Sequence, residues 1–387
     1  MTTLLPDLAV RVEEFDRTDE LWALPPSPRG VVCWLRGGAG LIGWGEAARI
    51  EVAGPDRFDR AAAAWRAFVE RLDGDAAHAV AFASFSFDER GRSVLVVPRV
   101  LVRCTGGRAR ITTIGAAPAE VFVPVARPAA VRWHDGRLPA PRWRAAVAEA
   151  VRRMRSGELD KVVLARDLVA EADEPLDPRF LIGELTSRHP QCWTFAVDDL
   201  VGATPEMLLR REGDRMTSRV LAGSSWTGHD LLTSRQHLDE HHYAVASLVS
   251  ATAPHCTEVR TSGPSELHLR NISHLATDVV ARTTTGLFEL ARAVHPTAAV
   301  GGTPRDAALR LIAELEGLDR GGYAGPVGWV DAAGDGELGI ALRCARLTGR
   351  RARLFAGCGL IADSDPDAEV RETEAKFAAV RDAIEGR

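Results

Sequence analysis

Apolar positions recur along this chain with two different periods, and the alternation between them outlines its elements. Near the C-terminus, Val370, Thr373, Phe377, Val380 and Ile384 are spaced by three and four residues, as on a helix that seats one face on a core. Glu369, Glu372 and Lys376 each stand one residue ahead of this stripe, so at about 100° per residue they share a neighbouring face. Helical spacing also predicts helices over 57–72, 142–156, 233–252, 287–294 and 305–315. Strand patterns lie between them. VVCWLRGGAGLIGWGEAARI alternates around glycines, AVAFASFSFDE and SVLVVPRVLVR read as paired strands, and KVVLARDLV over 161–169 is β-branched and apolar. The stretch TFAVDDLVGATPEMLLRREGDRMTSRVLAGSS reads as three short strands around turns, one turn at 202–204 just before Pro205 and Glu206. GGYAGPVGWVDAAGDGELGIALRCARL reads as a hairpin turning at 332–336, with Arg343 at mid-strand, and the glycines of AGCGLIADSDPD as a turn feeding the last helix. Prolines and alanines collect between residues 113 and 141, marking a connection between two halves. The whole predicts a mixed α/β chain of the α+β type.

Composition narrows the classes. The 387 residues are 46% hydrophobic and 26% charged, which suffices for a large core. The formal net charge is −5, with basic and acidic residues interspersed, which argues against a nucleic-acid-binding surface. Six cysteines are scattered without a C-x-x-C, as expected of reduced thiols rather than a disulfide framework or zinc site. No run approaches the roughly 20 apolar residues that span a bilayer, and the first residues lack a secretory pattern, so a cytoplasmic protein with no membrane partner is expected.

Several polar residues sit where chemistry is possible. Lys161 starts a strand, a position that also suits a solvated edge charge. Arg343 among apolar neighbours demands an anion, either an internal carboxylate or a ligand. Glu369, Glu372 and Lys376 can be a solvated stripe with an i,i+4 ion pair, or can hold a cation and an anionic substrate together beside Gly357, Cys358 and Gly359. Glu240–His241–His242 lack the H-E-x-x-H spacing of a zinc protease. Phe82, Phe85 and Phe87 read as core, and the first 112 residues offer no catalytic spacing.

The segments KVVLAR, GATPEMLL, LAGS, the EH of DEHH, HLAT, HPTAAVGGTP, DRGGYAGPVGW, GDGELGIALRCA, AGCGLIADSDP and the E-x-x-E-x-x-x-K of 369–376 occur in this order over about residues 140–387. Together they resemble the chorismate-utilising enzymes, most closely the isochorismate synthases. Over residues 1–130 the resemblance is confined to GWGEAAR, SFSFDE and VPRVLV. It implies one domain over 1–387: a less characteristic half (1–112), an internal crossover (113–141) and a catalytic portion (142–387). It also implies two large, mostly antiparallel sheets packed face to face with outer helices.

The activity implied is conversion of chorismate to isochorismate by addition of water at ring carbon 2 and loss of the carbon-4 hydroxyl. By motif, Lys161 would be the base and Glu206 the acid, roles that require a neutral lysine and a protonated glutamate. Mg²⁺ would be held by Glu240, Glu369 and Glu372, an all-oxygen set suited to a hard cation. Arg343, Lys376 and the backbone near Gly357 and Gly359 would take the anionic groups of the substrate, with Ser224 and Ala299 along the pocket.

Relatives are separated by single positions. Anthranilate synthases carry Gln where Lys161 stands, and aminodeoxychorismate synthases place a lysine nucleophile in the LAGS segment, where this chain has Ala222. Salicylate synthases, which also eliminate pyruvate, carry a polar Thr at the pair where this chain has Ala299–Val300. A binding protein without catalysis is a further reading, since Gln236–His237 stand where the family often has Lys-Asp. Nothing in the sequence demands a partner subunit, so a monomer without a glutamine amidotransferase subunit is expected, and menaquinone, siderophore or other secondary-metabolite biosynthesis are all open as the pathway it serves.

Overall fold

The computed structural model describes residues 8–16, 20–116, 121–225, 231–268 and 273–387. Among these, the strands form one 13-stranded and one 10-stranded sheet. Pairing is antiparallel apart from the short contact of Ala9–Asp16 with Asp73–Gly74. Both sheets mix the two ends of the chain. Trp193–Val197 pairs with Val32–Arg36 in the larger sheet, and Pro326–Asp331 with Val80–Ser84 in the smaller. The connection between the halves contributes Val131–Asp135, which pairs at the edge with Lys161–Ala172.

One core lies between the sheets. Trp34, Phe195 and Leu200 from the larger sheet are buried in the same cluster as Phe82, Leu209 and Leu338 from the smaller. Phe82 and Phe85 are fully buried and Phe87 nearly so, as core residues. A second cluster covers the opposite face of the larger sheet, where Leu181, Ile182 and Leu185 of helix Pro178–Arg188 meet Phe377, Val380, Ala383 and Ile384 of helix Pro366–Glu385. The final helix therefore buries Thr373, Phe377, Val380 and Ile384 of the predicted stripe and leaves Val370 half-buried. Its start is fixed by Asp365, whose side chain accepts from the Asp367 and Ala368 N–H groups, and by Pro366 in the first turn. Arg166 docks the helix from the strand below: its Nε donates to Thr373 Oγ1 at 2.8 Å, and its guanidinium pairs with Glu374 and lies over the Phe377 ring.

The other helices fall close to their predicted spans: Arg57–Val69, Ala140–Arg155, Arg235–Thr252, Leu287–Val294 and Arg305–Glu316. Strands 193–225 differ from expectation. There are four, Trp193–Val197, Leu200–Thr204, Met207–Glu212 and Arg215–Ser225, because Asp198–Asp199 closes a tight hairpin with Asp198 at φ 58°. The expected turn at 202–204 is part of a strand. The cysteines are all free thiols, and among the described residues no helix is long and apolar enough to cross a membrane.

Candidate active site

The backbone passes between the sheets twice in one place. Leu200–Thr204 belongs to the larger sheet and Met207–Glu212 to the smaller, so Pro205 and Glu206 form the crossing. Gly336–Ile340 belongs to the smaller sheet and Cys344–Thr348 to the larger, so residues 341–343 form the return. The crossings are tied together. Ile340 N–H donates to the Glu206 carbonyl at 3.1 Å, Ala203 N–H to the Arg343 carbonyl at 3.1 Å, and the Thr204 hydroxyl to the Ile340 carbonyl at 2.6 Å. Gly202 lies where they touch: a Cβ there would sit 2.5 Å from Cys344 Cβ.

Arg343 is therefore not at mid-strand, as the apolar neighbours implied. It sits in the break between two strands at φ 47°, where a non-glycine residue is strained, because the chain must bend to change sheets. The Gly357–Cys358–Gly359 segment is likewise not a turn. It lies inside strand Arg351–Leu360, with Gly357 opposite Ala165 and Gly359 opposite Val163. Pairing with Cys344–Thr348 on the other edge stops at Leu354, so residues 355–360 have, among the described residues, a strand partner on one side only. Gly357 is needed for a close approach, since a Cβ there would lie 3.0 Å from the Tyr323 hydroxyl.

These elements enclose a cavity of about 230 Å³. Lys161, Glu206, Ala299, Arg343, Gly357, Gly359, Glu369, Glu372 and Lys376 all line it. Ser224 lies on strand Arg215–Ser225 and Glu240 on helix Arg235–Thr252, and the side chains of both are outside the described residues. The turn of helix that carries Glu240 is anchored by buried His241, whose ring nitrogens meet the Ala222 carbonyl at 3.2 Å and Thr277 Oγ1 at 2.7 Å. Helix and strand come close enough here that Gly223, at φ 75°, has its would-be Cβ 3.2 Å from His237.

The cavity separates charges. Glu206 is only 6% exposed, and burial pushes its carboxyl up to about 8 against the pull of Lys161 and Arg343. It is thus a protonated acid at neutral pH. Burial draws the Arg343 guanidinium below its ordinary value, and its Nη2 lies 3.1 Å from His274 Nε2. His274 is buried and held well below the usual histidine range by burial and by the charges of Arg343 and Lys376, so its neutral ring accepts from Arg343. Lys376 donates to the Gly357 carbonyl at 2.8 Å and pairs with Glu372 at 2.6 Å. Burial works against its charge and is the largest single influence, but Glu372, Cys358 and Tyr323 together hold its pKa above the ordinary lysine value.

A divalent cation fits the acidic corner. One donor atom each from Cys358, Glu369 and Glu372 lies within 4.8 Å of the others. Among the described residues, the buried Glu369 Oε2 has no hydrogen-bond partner. Burial and then the neighbouring Glu372 charge push the Glu369 carboxyl up to about 7, a repulsion that a bound cation would relieve. Burial raises the Cys358 thiol well above its usual range, leaving the two carboxyl groups as the oxygen donors and favouring a hard ion.

Four supporting residues had no role assigned from the sequence alone, although Arg320 and Tyr323 lie in the segment DRGGYAGPVGW. His274 lies within the HLAT motif but had no assigned task. Tyr323 stacks on Phe355 with ring centroids 5.2 Å apart and roofs the Gly357 backbone. Arg320 and Glu316 form a buried pair that ties three walls. Arg320 donates to the Val300 and Val163 carbonyls at 3.0 and 2.7 Å, while Glu316 Oε1 accepts from the Ala165 N–H at 2.7 Å. Only their partners, distant in sequence, reveal this.

Paired antiparallel sheets with a buried acid, a lysine and an arginine gathered where the chain crosses between them define an α/β enzyme with a pocket for a small anion. Residues 124–385 match the family described as chorismate binding enzyme, and the chain belongs to it. The isochorismate synthase MenF of Bacillus subtilis is 34% identical over 63% of this chain and 55% of its own length, so the match spans about half of that relative. The isochorismate synthase DhbC of the same organism is 34% identical over 65% of this chain and 70% of its own. The fold is that of the menaquinone-specific isochorismate synthase MenF from Escherichia coli, with TM-score 0.83 over 98% of this chain and 95% of that one at 22% identity.

Proposed function

We propose that this chain is an isochorismate synthase that interconverts chorismate and isochorismate. The reading is carried by Glu206, a buried carboxylic acid that keeps its proton at neutral pH in the same cavity as Lys161, and is supported by the relatives named above. In the proposed reaction Lys161 takes a proton from water as its oxygen bonds to ring carbon 2. The ring double bonds shift, the carbon-4 to oxygen bond breaks, and Glu206 gives its proton to the departing hydroxyl. Solvent resets both groups. Arg343 offers a planar fork to a substrate carboxylate, oriented by His274, and Lys376 adds a second cationic contact. Glu369 and Glu372, together with Glu240 from the neighbouring helix, would hold Mg²⁺, which would supply a counter-charge to the ring carboxylate. Ala299 and Val300 give a small apolar wall with no hydroxyl to steer a further elimination. Incubation of the purified chain with chorismate and Mg²⁺, with products resolved by NMR, tests this. Isochorismate in equilibrium with chorismate is expected, while salicylate with stoichiometric pyruvate would overturn the assignment.

A further inference from the structure

A second cavity, about 870 Å³ in volume, shares Arg320 with the first. Six arginines line it, against four acids: Asp88, Glu89, Glu316 and Asp319. Three of the arginines are neutralised by carboxylates, Arg90 by Asp88, Arg292 by Asp59 and Arg320 by Glu316. Among the described residues, Arg57, Arg305 and Arg310 have no such partner.

Arg57 is the unusual member. It is 6% exposed, yet among the described residues its Nε has no hydrogen-bond partner and its terminal nitrogens reach only the Gly54 and Ser86 carbonyls at 3.4 and 3.5 Å. Burying a guanidinium so weakly satisfied is costly unless an anion completes it. Position adds to the cost. Arg57 is the first residue of helix Arg57–Val69 and Arg305 the first of helix Arg305–Glu316, and in neither helix does the N-cap side chain make a capping bond. A cation at the positive end of a helix is disfavoured, and here two such ends line one cavity. The buried ring of His295 feels the result: burial, then Arg57 and Arg305, drive it down to about 3.

We propose that this cavity is a binding site for a small molecule bearing a phosphate or carboxylate oxyanion, held between Arg57 and Arg305 at the two helix starts. Phe58, Phe87 and Leu309 supply apolar wall for the body of the molecule. The site is joined to the first cavity. Arg305 donates to the His295 carbonyl at 2.6 Å, His295 begins the loop that carries Ala299 and Val300, and Arg320 holds the Val300 carbonyl.

The test is calorimetric titration of the full chain in low-salt, phosphate-free buffer with sodium phosphate and, separately, sodium benzoate. At least one should saturate, with a Kd below about 1 mM, and Arg57→Gln and Arg305→Gln should each weaken it at least about tenfold. A response to phosphate alone assigns a phosphorylated ligand, and one to benzoate alone a carboxylate. Should Arg57→Gln fail to fold, Arg305→Gln decides, because Arg305 is exposed. Absence of saturation with both anions up to about 20 mM overturns the proposal. So does binding that survives both substitutions, which would put the anion in the first cavity.

Discussion

Replacing Glu206 with glutamine removes a proton-binding group while keeping its shape, and the structure fixes how stability should respond to pH. The folded protein holds this carboxyl at about 8, against an ordinary value of 4.5. Its folded pKa is raised, so its contribution is whole below about pH 4.5 and is lost as pH rises through about 8. At about 1.4 kcal/mol per pH unit, the loss reaches about 3 kcal/mol by pH 7 and about 5 kcal/mol above pH 9. Glutamine escapes this loss. Urea unfolding of parent and variant between pH 4.5 and 9 should give curves that nearly coincide at the acid end. They should then diverge in favour of the variant, by about 3 kcal/mol at neutrality. The same variant should lose catalysis by about 10²–10⁴-fold, since it has no proton to give. Curves that stay parallel would mean that Lys161 and Arg343 overcome burial and leave the glutamate ionised in the fold, and the acid role would fall with it.

Three further outcomes follow from single contacts. Glu316→Gln leaves Arg320 buried beside an uncharged partner and should cost about 3–5 kcal/mol in unfolding free energy; unchanged stability would show that the pair does not tie the walls together. Arg343→Lys keeps the charge but loses the fork and the contact with His274, so KM for chorismate should rise at least about tenfold, and an unaltered KM would remove Arg343 from the carboxylate site. Mg²⁺ should raise the melting temperature of the parent, equivalent to about 2.7 kcal/mol at a hundred times its Kd, and should not raise that of Glu372→Ala. A shift that persists in Glu372→Ala would place the ion elsewhere.

Helices and site differed in how far the sequence revealed them. The stripe from Thr373 to Ile384 was readable because a surface helix must bury one face, and that face is local in sequence. The glycines at 357 and 359 misled for the opposite reason. Local preference reads them as a turn, whereas the ladder with Lys161–Ala172, formed across nearly two hundred residues, holds them in a strand. Arg343 was recognised as needing an anion, but not as a sheet crossing, since the crossing exists only once both sheets are built. The buried pair Glu316–Arg320 was silent for the same reason: an i,i+4 pair on a helix end normally signals solvent, and only the Val163 and Val300 carbonyls turn it inward. Lys161 and the carboxylates of the last helix were singled out by their places on strand and helix and Glu206 through its motif, while their meeting in one cavity is a product of the fold.

The most direct experiment is turnover of chorismate by the Mg²⁺-loaded chain in ¹⁸O-labelled water, read by mass spectrometry and NMR beside Lys161→Ala. Water activated at Lys161 predicts isochorismate carrying one ¹⁸O at carbon 2, with formation abolished in the variant. Unlabelled isochorismate, or labelled product formed at an undiminished rate by Lys161→Ala, would contradict the assignment of this cavity.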